Sequence, residues 1–206
     1  MSWAGVERFQ PFLFMKLSIL ICTLPDPFRD PFLAQRLFYN LSTQAVNKPV
    51  QVLYLGDNKR MSVGLKRNML LHIAEGERVI FVDDDDQISN SYVDKLLEYC
   101  EYPEDCIAIG VEYTQNGTNK KIYDFSFKKN INTRTKKGAI AGRMPNHLCL
   151  WKREVALRVQ FPNISLGEDH NWAEKQIIKG YSLKIMPEIL YFYDFDRHTT
   201  QTRMRK

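Results

Sequence analysis

Three short apolar runs, at residues 17–23 (LSILICT), 50–55 (VQVLYL) and 79–82 (VIFV), are separated by two segments whose apolar residues recur at helical spacing. Runs this short, rich in aliphatic and β-branched residues, read as buried strands. In the first intervening segment Phe32, Leu33, Leu37, Phe38 and Leu41 form a helical stripe, and in the second Val63, Leu65, Leu70, Leu71 and Ile73 do. Neighbouring parallel strands need a crossover long enough to hold a helix, so this alternation predicts βαβ units and a mostly parallel sheet. The predicted fold class is α/β, with helices flanking a central sheet.

The second half has a different texture. A helix is expected over residues 90–99, with Ser91 and Asp94 suited to its first turn, followed by a strand at 107–113. Asn116-Gly117 is a hairpin signal between the arms EYTQ and KIYDFSF, which predicts a small antiparallel hairpin. The polar, basic stretch 128–138 (KKNINTRTKKG) predicts a mobile surface loop. A strand at 148–151, helices at 153–159 and 168–179, and a strand at 182–185 complete the expected core. No linker divides the chain, so residues 15–196 are expected to form one domain, with 1–14 an extension before Met15 and 197–206 a basic tail.

Length and composition agree with one soluble domain: 206 residues, 44% hydrophobic and 26% charged, exclude a disordered or disulfide-scaffold chain. The formal charge of +5 is too small to require nucleic acid as a partner and suits an anionic small ligand. The run 11–23 is about half the length of a membrane span and carries Lys16. No transmembrane segment is therefore expected, although peripheral contact with a membrane stays open. The four cysteines form no CxxC pair and follow no secretory leader, which predicts free thiols and a cytoplasmic location.

The strongest chemical signal is Asp83-Asp84-Asp85-Asp86, directly after VIFV. In open α/β sheets ligands bind beyond the carboxyl ends of strands, so these acids stand at the expected mouth of a site. Adjacent carboxylates repel one another unless a cation or hydrogen bonds offset them, and their hard oxygens suit Mg²⁺ or Mn²⁺. An acidic turn capping the next helix is the competing structural role for at least one of them.

Residues 62–86 (SVGLKRNMLLHIAEGERVIFVDDDD) resemble the segment of family 2 glycosyltransferases of the GT-A fold in which a Gly and an Arg-Asn pair precede a D-x-D motif. Residues 17–29 (LSILICTLPDPFR) resemble the opening of that family, where an apolar strand ends in Thr and an Arg follows. The resemblance spans roughly residues 15–94 and returns at 146–173. It implies a Rossmann-like GT-A domain acting as a transferase on a nucleotide-diphosphate sugar donor, most often UDP-linked, with a glycan or other hydroxyl-bearing acceptor. On this reading Thr23 and Asp57 hold the nucleoside, Lys66 and Arg67 face the nucleotide, and Asp84 and His147 contact donor or acceptor. The D-x-D carboxylates are Asp83 and Asp85, Asp86 is a third metal ligand, and His198 in the tail is a late one. Gly56-Asp57-Asn58 departs from the family's usual acidic, Ser-rich turn.

A second acidic pair, Glu168-Asp169, opens the predicted helix at 168–179, and Ser165 to Glu168 also fits a capping box. The resemblance makes Asp169 the general base at the acceptor hydroxyl, with Glu168 orienting the site, and hence implies inversion at the anomeric carbon. Trp151 suits core packing, and Trp172 suits either the core or a sugar ring. A metal-dependent phosphoryl or nucleotidyl transferase would also use clustered acids, but the chain carries no GxxxxGK[ST] loop. A nucleic-acid-binding module would need basic residues interleaved with aromatics, and here the basic runs lack them.

Overall fold

A computed structural model of the chain describes residues 14–25, 28, 30–135 and 138–195, with no account of the side chains of 133–140. Its first half is β1 (Leu17–Thr23), α1 (Pro31–Ala45), β2 (Val50–Gly56), α2 (Val63–Ile73) and β3 (Arg78–Phe81). Next come β4 (Gln87–Ile88), α3 (Tyr92–Cys100), β5 (Cys106–Gln115) and β6 (Thr118–Asp124). The remainder is β7 (Ile131–Thr135), β8 (Gly138–Gly142), β9 (Leu150–Lys152), α4 (Arg153–Ala156), α5 (Glu168–Lys179) and β10 (Leu183–Phe195).

β1 is buried along its apolar run because it is the middle strand of a parallel trio, with β2 on one side and β3 on the other. The chain moves from β1 outward to β2, then back across to β3. Right-handed crossovers in these opposite directions put α1 and α2 on opposite faces of the sheet. The reversal also leaves a crevice between the carboxyl ends of β1 and β3, the usual ligand position in such sheets. Thr23 and Asp83 stand there, one at the end of each strand.

Among the described residues the sheet has ten strands, in the order β2-β1-β3-β9-β5-β6-β8-β7, with β10 beside β5 and β4. It is mixed. The short β9 runs antiparallel between β3 and β5, and β10 runs parallel to β5 along its whole length. Asn116 and Gly117 take positive φ values of 49° and 68°, the left-handed pair that an Asn-Gly hairpin turn requires, and β5 pairs with β6 as expected.

The structure corrects several local expectations. Residues 131–135 and 138–142 form an antiparallel hairpin, β7 with β8, where a loop is expected over 128–138. β7 ends the strand order, and the edge of a sheet tolerates polar and charged residues that a central strand would exclude. The last strand runs to Phe195 rather than stopping at 185, and a register shift between Ile185 and Ile189 accommodates Pro187. Neither Ser91 nor the Ser165–Glu168 box makes a side-chain cap bond; the Ser165 hydroxyl accepts from the Val63 amide instead. Trp172 is a core residue: it is buried, stacks on Phe161 at 4.8 Å and donates to the Val159 carbonyl. The basic tail and His198 lie outside the described residues, as do residues 1–13.

Candidate active site

The helix α2 places the second acidic pair. Gly64, Arg67 and Asn68 are three and four residues apart, so they share a face. At Gly64 a Cβ would stand 1.9 Å from the Pro162 carbonyl oxygen, so only glycine lets this backbone approach, and the Gly64 amide donates to the Ile164 carbonyl at 3.0 Å. The Asn68 side chain donates to the Phe161 carbonyl at 2.9 Å and accepts from the Phe161 amide at 2.8 Å. The Gly and Asn of the sequence motif thus clamp the segment that leads into α5. Gly167, in the left-handed region at φ 80°, turns the chain so that Glu168 and Asp169 open that helix.

Arg67 and His147 bridge the two acidic sets. The Arg67 guanidinium lies 3.1 Å from Asp83 and 3.5 Å from Glu168, beside the contacting rings of Phe81 and Phe161. His147 Nε2 is 3.4 Å from Asp83 Oδ2, and its Nδ1 is 3.7 Å from Asp169 Oδ2. Both bridging residues are buried. Burial holds the Glu168 carboxyl above the usual carboxylate range, a rise opposed by Arg67 and reinforced by Asp169.

Within the acidic turn the side chains divide. Asp84 is buried and accepts from the Thr23 hydroxyl at 2.8 Å and the Leu24 amide at 3.2 Å, which closes the crevice floor between β1 and β3. Asp86 is buried and accepts from the Tyr191 hydroxyl at 2.6 Å, while that same hydroxyl oxygen accepts from the Asp83 amide. Burial first, then the neighbouring Asp86, pushes the Tyr191 hydroxyl well above its ordinary pKa, so it stays a donor. Asp83 and Asp85 are the two partly exposed members of the turn.

Lys66 is buried, 2.8 Å from Asp57 and 3.1 Å from the Thr23 carbonyl. Asp57 also accepts from the Met61 amide at 2.7 Å. Burial raises the Asp57 carboxyl, but the bonds from Lys66 and Met61 outweigh it and hold the group below its ordinary value. These contacts fix the turn after β2, and Met61 from that turn lines the cleft whereas Asp57 and Thr23 do not.

The cleft has a volume of about 510 Å³, and Asp83, Asp84, Asp85 and Asp86 line it together with Lys66, Arg67, His147, Glu168 and Asp169. All the predicted site residues within the described chain therefore line one cavity or brace its wall. Cys22 also lines it, but burial pushes its thiol up to about 12, so at neutral pH it is a protonated and poor nucleophile. Tyr191, Tyr193, Tyr123 and Arg143 are site residues that the sequence reading missed. An alternating aromatic run at 189–195 was the available signal for the first two.

Among the described residues no group of three or more His, Cys, Asp or Glu side chains is placed to hold a metal ion. Mg²⁺ is usually bound by one or two carboxylates together with substrate phosphates rather than by an all-protein cage. Asp83 and Asp85, the partly exposed carboxylates of the turn, are oxygen donors of the kind such a cation takes.

Residues 40–158 match the family described as glycosyl transferase family 2. No curated protein matches the sequence. Among solved structures, S. aureus TarS 1-349 has a TM-score of 0.64 at 19% identity, covering 87% of this chain and 60% of that one. TarS 1-349 in complex with UDP-GlcNAc gives 0.64 at 18% identity, covering 88% and 59%, and in complex with UDP it gives 0.64 at 17%, covering 90% and 62%. The chain thus spans about 60% of the length of these structures and shares their fold. The α/β, GT-A-type architecture expected from the sequence is the one observed. No helix among the described residues is long and apolar enough to cross a membrane.

Proposed function

The chain belongs to glycosyl transferase family 2, and from that premise we propose that it is a metal-dependent, inverting transferase of a sugar from a UDP-linked donor to an acceptor hydroxyl. One observation carries this reading: two acidic sets from distant parts of the chain face one cleft, tied together by Arg67 and His147. The TarS complexes with UDP and UDP-GlcNAc support the choice of nucleotide.

On this reading the donor diphosphate lies against the turn after β3, where Asp83 and Asp85 would hold Mn²⁺ or Mg²⁺. When bound, the cation supplies Lewis-acid stabilisation of the departing diphosphate worth several kcal/mol. Asp84 and Asp86 hold the turn in shape through Thr23 and Tyr191. Lys66 and Asp57 fix the 57–61 turn against which the nucleoside would sit. Asp169, on a different element from the metal-binding acids, accepts the proton of the acceptor hydroxyl as that oxygen attacks the anomeric carbon. Glu168 stays paired with Arg67 and keeps that cation in place. A single base and no covalent nucleophile imply one displacement and inversion.

The test is a thermal-shift series with UDP, GDP, dTDP, CMP and an oligonucleotide, each with and without Mn²⁺. A ligand at 100 times its dissociation constant adds about 2.7 kcal/mol of stability. For a chain of this size that is a rise in Tm of roughly 5–11 °C. Manganese-dependent stabilisation by UDP is the expected result; stabilisation by oligonucleotides alone, or by none of the series, would overturn the reading. With a donor and acceptor in hand, the anomeric coupling of the product by NMR should be opposite to that of the donor.

A further inference from the structure

The lysines and arginines lining the cleft, Lys59, Lys66, Arg67 and Arg143, are not equivalent. Lys66 is neutralised by Asp57, and Arg67 by Asp83 and Glu168. Arg143 has no carboxylate within ion-pair distance among the described residues, yet it is held firmly. Its Nη1 donates to the carbonyls of Ile131 at 3.1 Å and Gly142 at 2.9 Å, and its guanidinium lies 4.8 Å from the Tyr123 ring centre. Asn132 Oδ1 accepts from Nη1 and Nη2, each at the longer distance of 3.4 Å. With no carboxylate paired to it among the described residues, the guanidinium keeps an uncompensated positive charge at the cleft, the kind of group that takes a carboxylate or phosphate.

Position decides which substrate this charge meets. Arg143 follows β8 at the hairpin end of the cleft, and the adjacent Met144 amide donates to Asn130 Oδ1 at 3.0 Å. The amide nitrogen of the same Asn130 side chain is 3.2 Å from His170 Nδ1, in the first turn of α5 beside Asp169. The wall that carries Arg143 is thus joined to the helix turn that carries the proposed base. The residues assigned to the nucleotide come from the ends of β1 and β2 and from α2 instead. Tyr123 and Tyr193 line the hairpin end too, and the Tyr123 ring is packed against Tyr113 and the Arg143 guanidinium.

Resting on the glycosyl-transfer reading, we infer that Arg143 and Tyr123 form an acceptor subsite for an anionic group, so that the preferred acceptor is an acidic sugar or a sugar phosphate. The guanidinium reads the anion, Tyr123 supports the guanidinium, and Asp169 meets a hydroxyl of the same acceptor.

The experiment titrates glucose, glucuronate and glucose 6-phosphate into the full chain with saturating UDP and Mn²⁺, by calorimetry or ligand-observed NMR. One or both anions should bind about tenfold or more tighter than glucose, since hydrogen bonds to charged groups are the strong ones. The two anions tell a carboxylate site from a phosphate site. Arg143→Gln should bring the anion down to within about twofold of glucose while UDP affinity stays within about twofold. Should Arg143→Gln not fold, Arg143→Lys keeps the charge without the fork and should lose part of the preference. Glucose binding as tightly as both anions in the wild type would overturn the inference. So would a UDP affinity that falls about tenfold in Arg143→Gln, because Arg143 would then serve the donor diphosphate. If UDP does not bind while the anion preference persists and depends on Arg143, the transferase reading fails and the anion site stands.

Discussion

Arg67→Met removes the cation that joins the two acidic sets while keeping an apolar stem beside Phe81 and Phe161. Breaking a buried ion pair by deleting one partner costs about 3–5 kcal/mol, because the remaining charge is left without compensation. Here the loss falls unevenly. The Asp83 side chain is 37% exposed and can be hydrated, with His147 still beside it, whereas the Glu168 side chain is 7% exposed and keeps only a backbone hydrogen bond and the more distant influence of His147. The lower end of the range is therefore expected, about 3 kcal/mol, which lowers Tm by roughly 6–12 °C for a domain of this length.

The effect depends on pH with a definite sign. Burial holds the Glu168 carboxyl above its ordinary value of 4.5, Arg67 opposes that rise, and Asp169 adds to it. A carboxyl raised in the folded state contributes stability that is present below the unfolded pKa and lost as pH rises through the folded one. Removing Arg67 moves the folded value further up, so the penalty should be larger at pH 7.5 than at pH 5, because a raised carboxyl takes up a proton more readily as pH falls. Calorimetric unfolding of Arg67→Met, Glu168→Gln and the double variant at both pH values measures this. The double variant should recover most of the stability lost by Arg67→Met at pH 7.5. A drop of less than about 2 °C at pH 7.5, or no recovery in the double variant, would refute the reasoning.

Asp169→Asn should lower turnover by about 10²- to 10⁴-fold, as expected for a lost general base, and leave UDP affinity within a few-fold; a fully active variant would show that the base is elsewhere. Asp85→Ala should abolish the manganese dependence of UDP stabilisation in thermal shift without lowering the ligand-free Tm, since it relieves repulsion within the acidic turn; unchanged metal-dependent binding would remove Asp85 from the metal site. Gly64→Ala should cost about 1–3 kcal/mol, because a Cβ 1.9 Å from the Pro162 carbonyl forces α2 and the approach to α5 apart. A Tm equal to wild type by circular dichroism would contradict that close approach.

Much of the fold was legible because it is local. The buried parallel strand β1 shows itself as a continuous apolar run, α1 and α2 as helical stripes, and the hairpin after β5 as Asn-Gly. The acidic turn was legible for the same reason: hydrophilic residues placed directly after an apolar strand fall at the strand's carboxyl end whatever surrounds them. The second acidic pair followed from the onset of a helix. Where the sequence misled, the deciding neighbour was distant in the chain. Residues 131–135 read as a loop by composition, but they lie at the sheet edge beside β8, where polar residues are tolerated. Pro187 reads as a stop, yet β5 provides a partner along the whole of β10 and the strand bulges past it.

The roles within the site belong to the tertiary structure for the same physical reason. Asp83, Asp84, Asp85 and Asp86 are chemically identical in sequence, and only their partners separate them: Thr23 for Asp84, Arg67 and His147 for Asp83, and Tyr191, 105 residues away, for Asp86. Periodicity and local charge report which face of an element is buried. They do not report which buried cation meets which carboxylate, because that is set by the register of strands and the packing of helices far apart in the chain. The sequence alone determined an α/β domain with acids at the mouth of its sheet; packing decided that α2 clamps the approach to α5 and thereby brings Glu168 and Asp169 to face them.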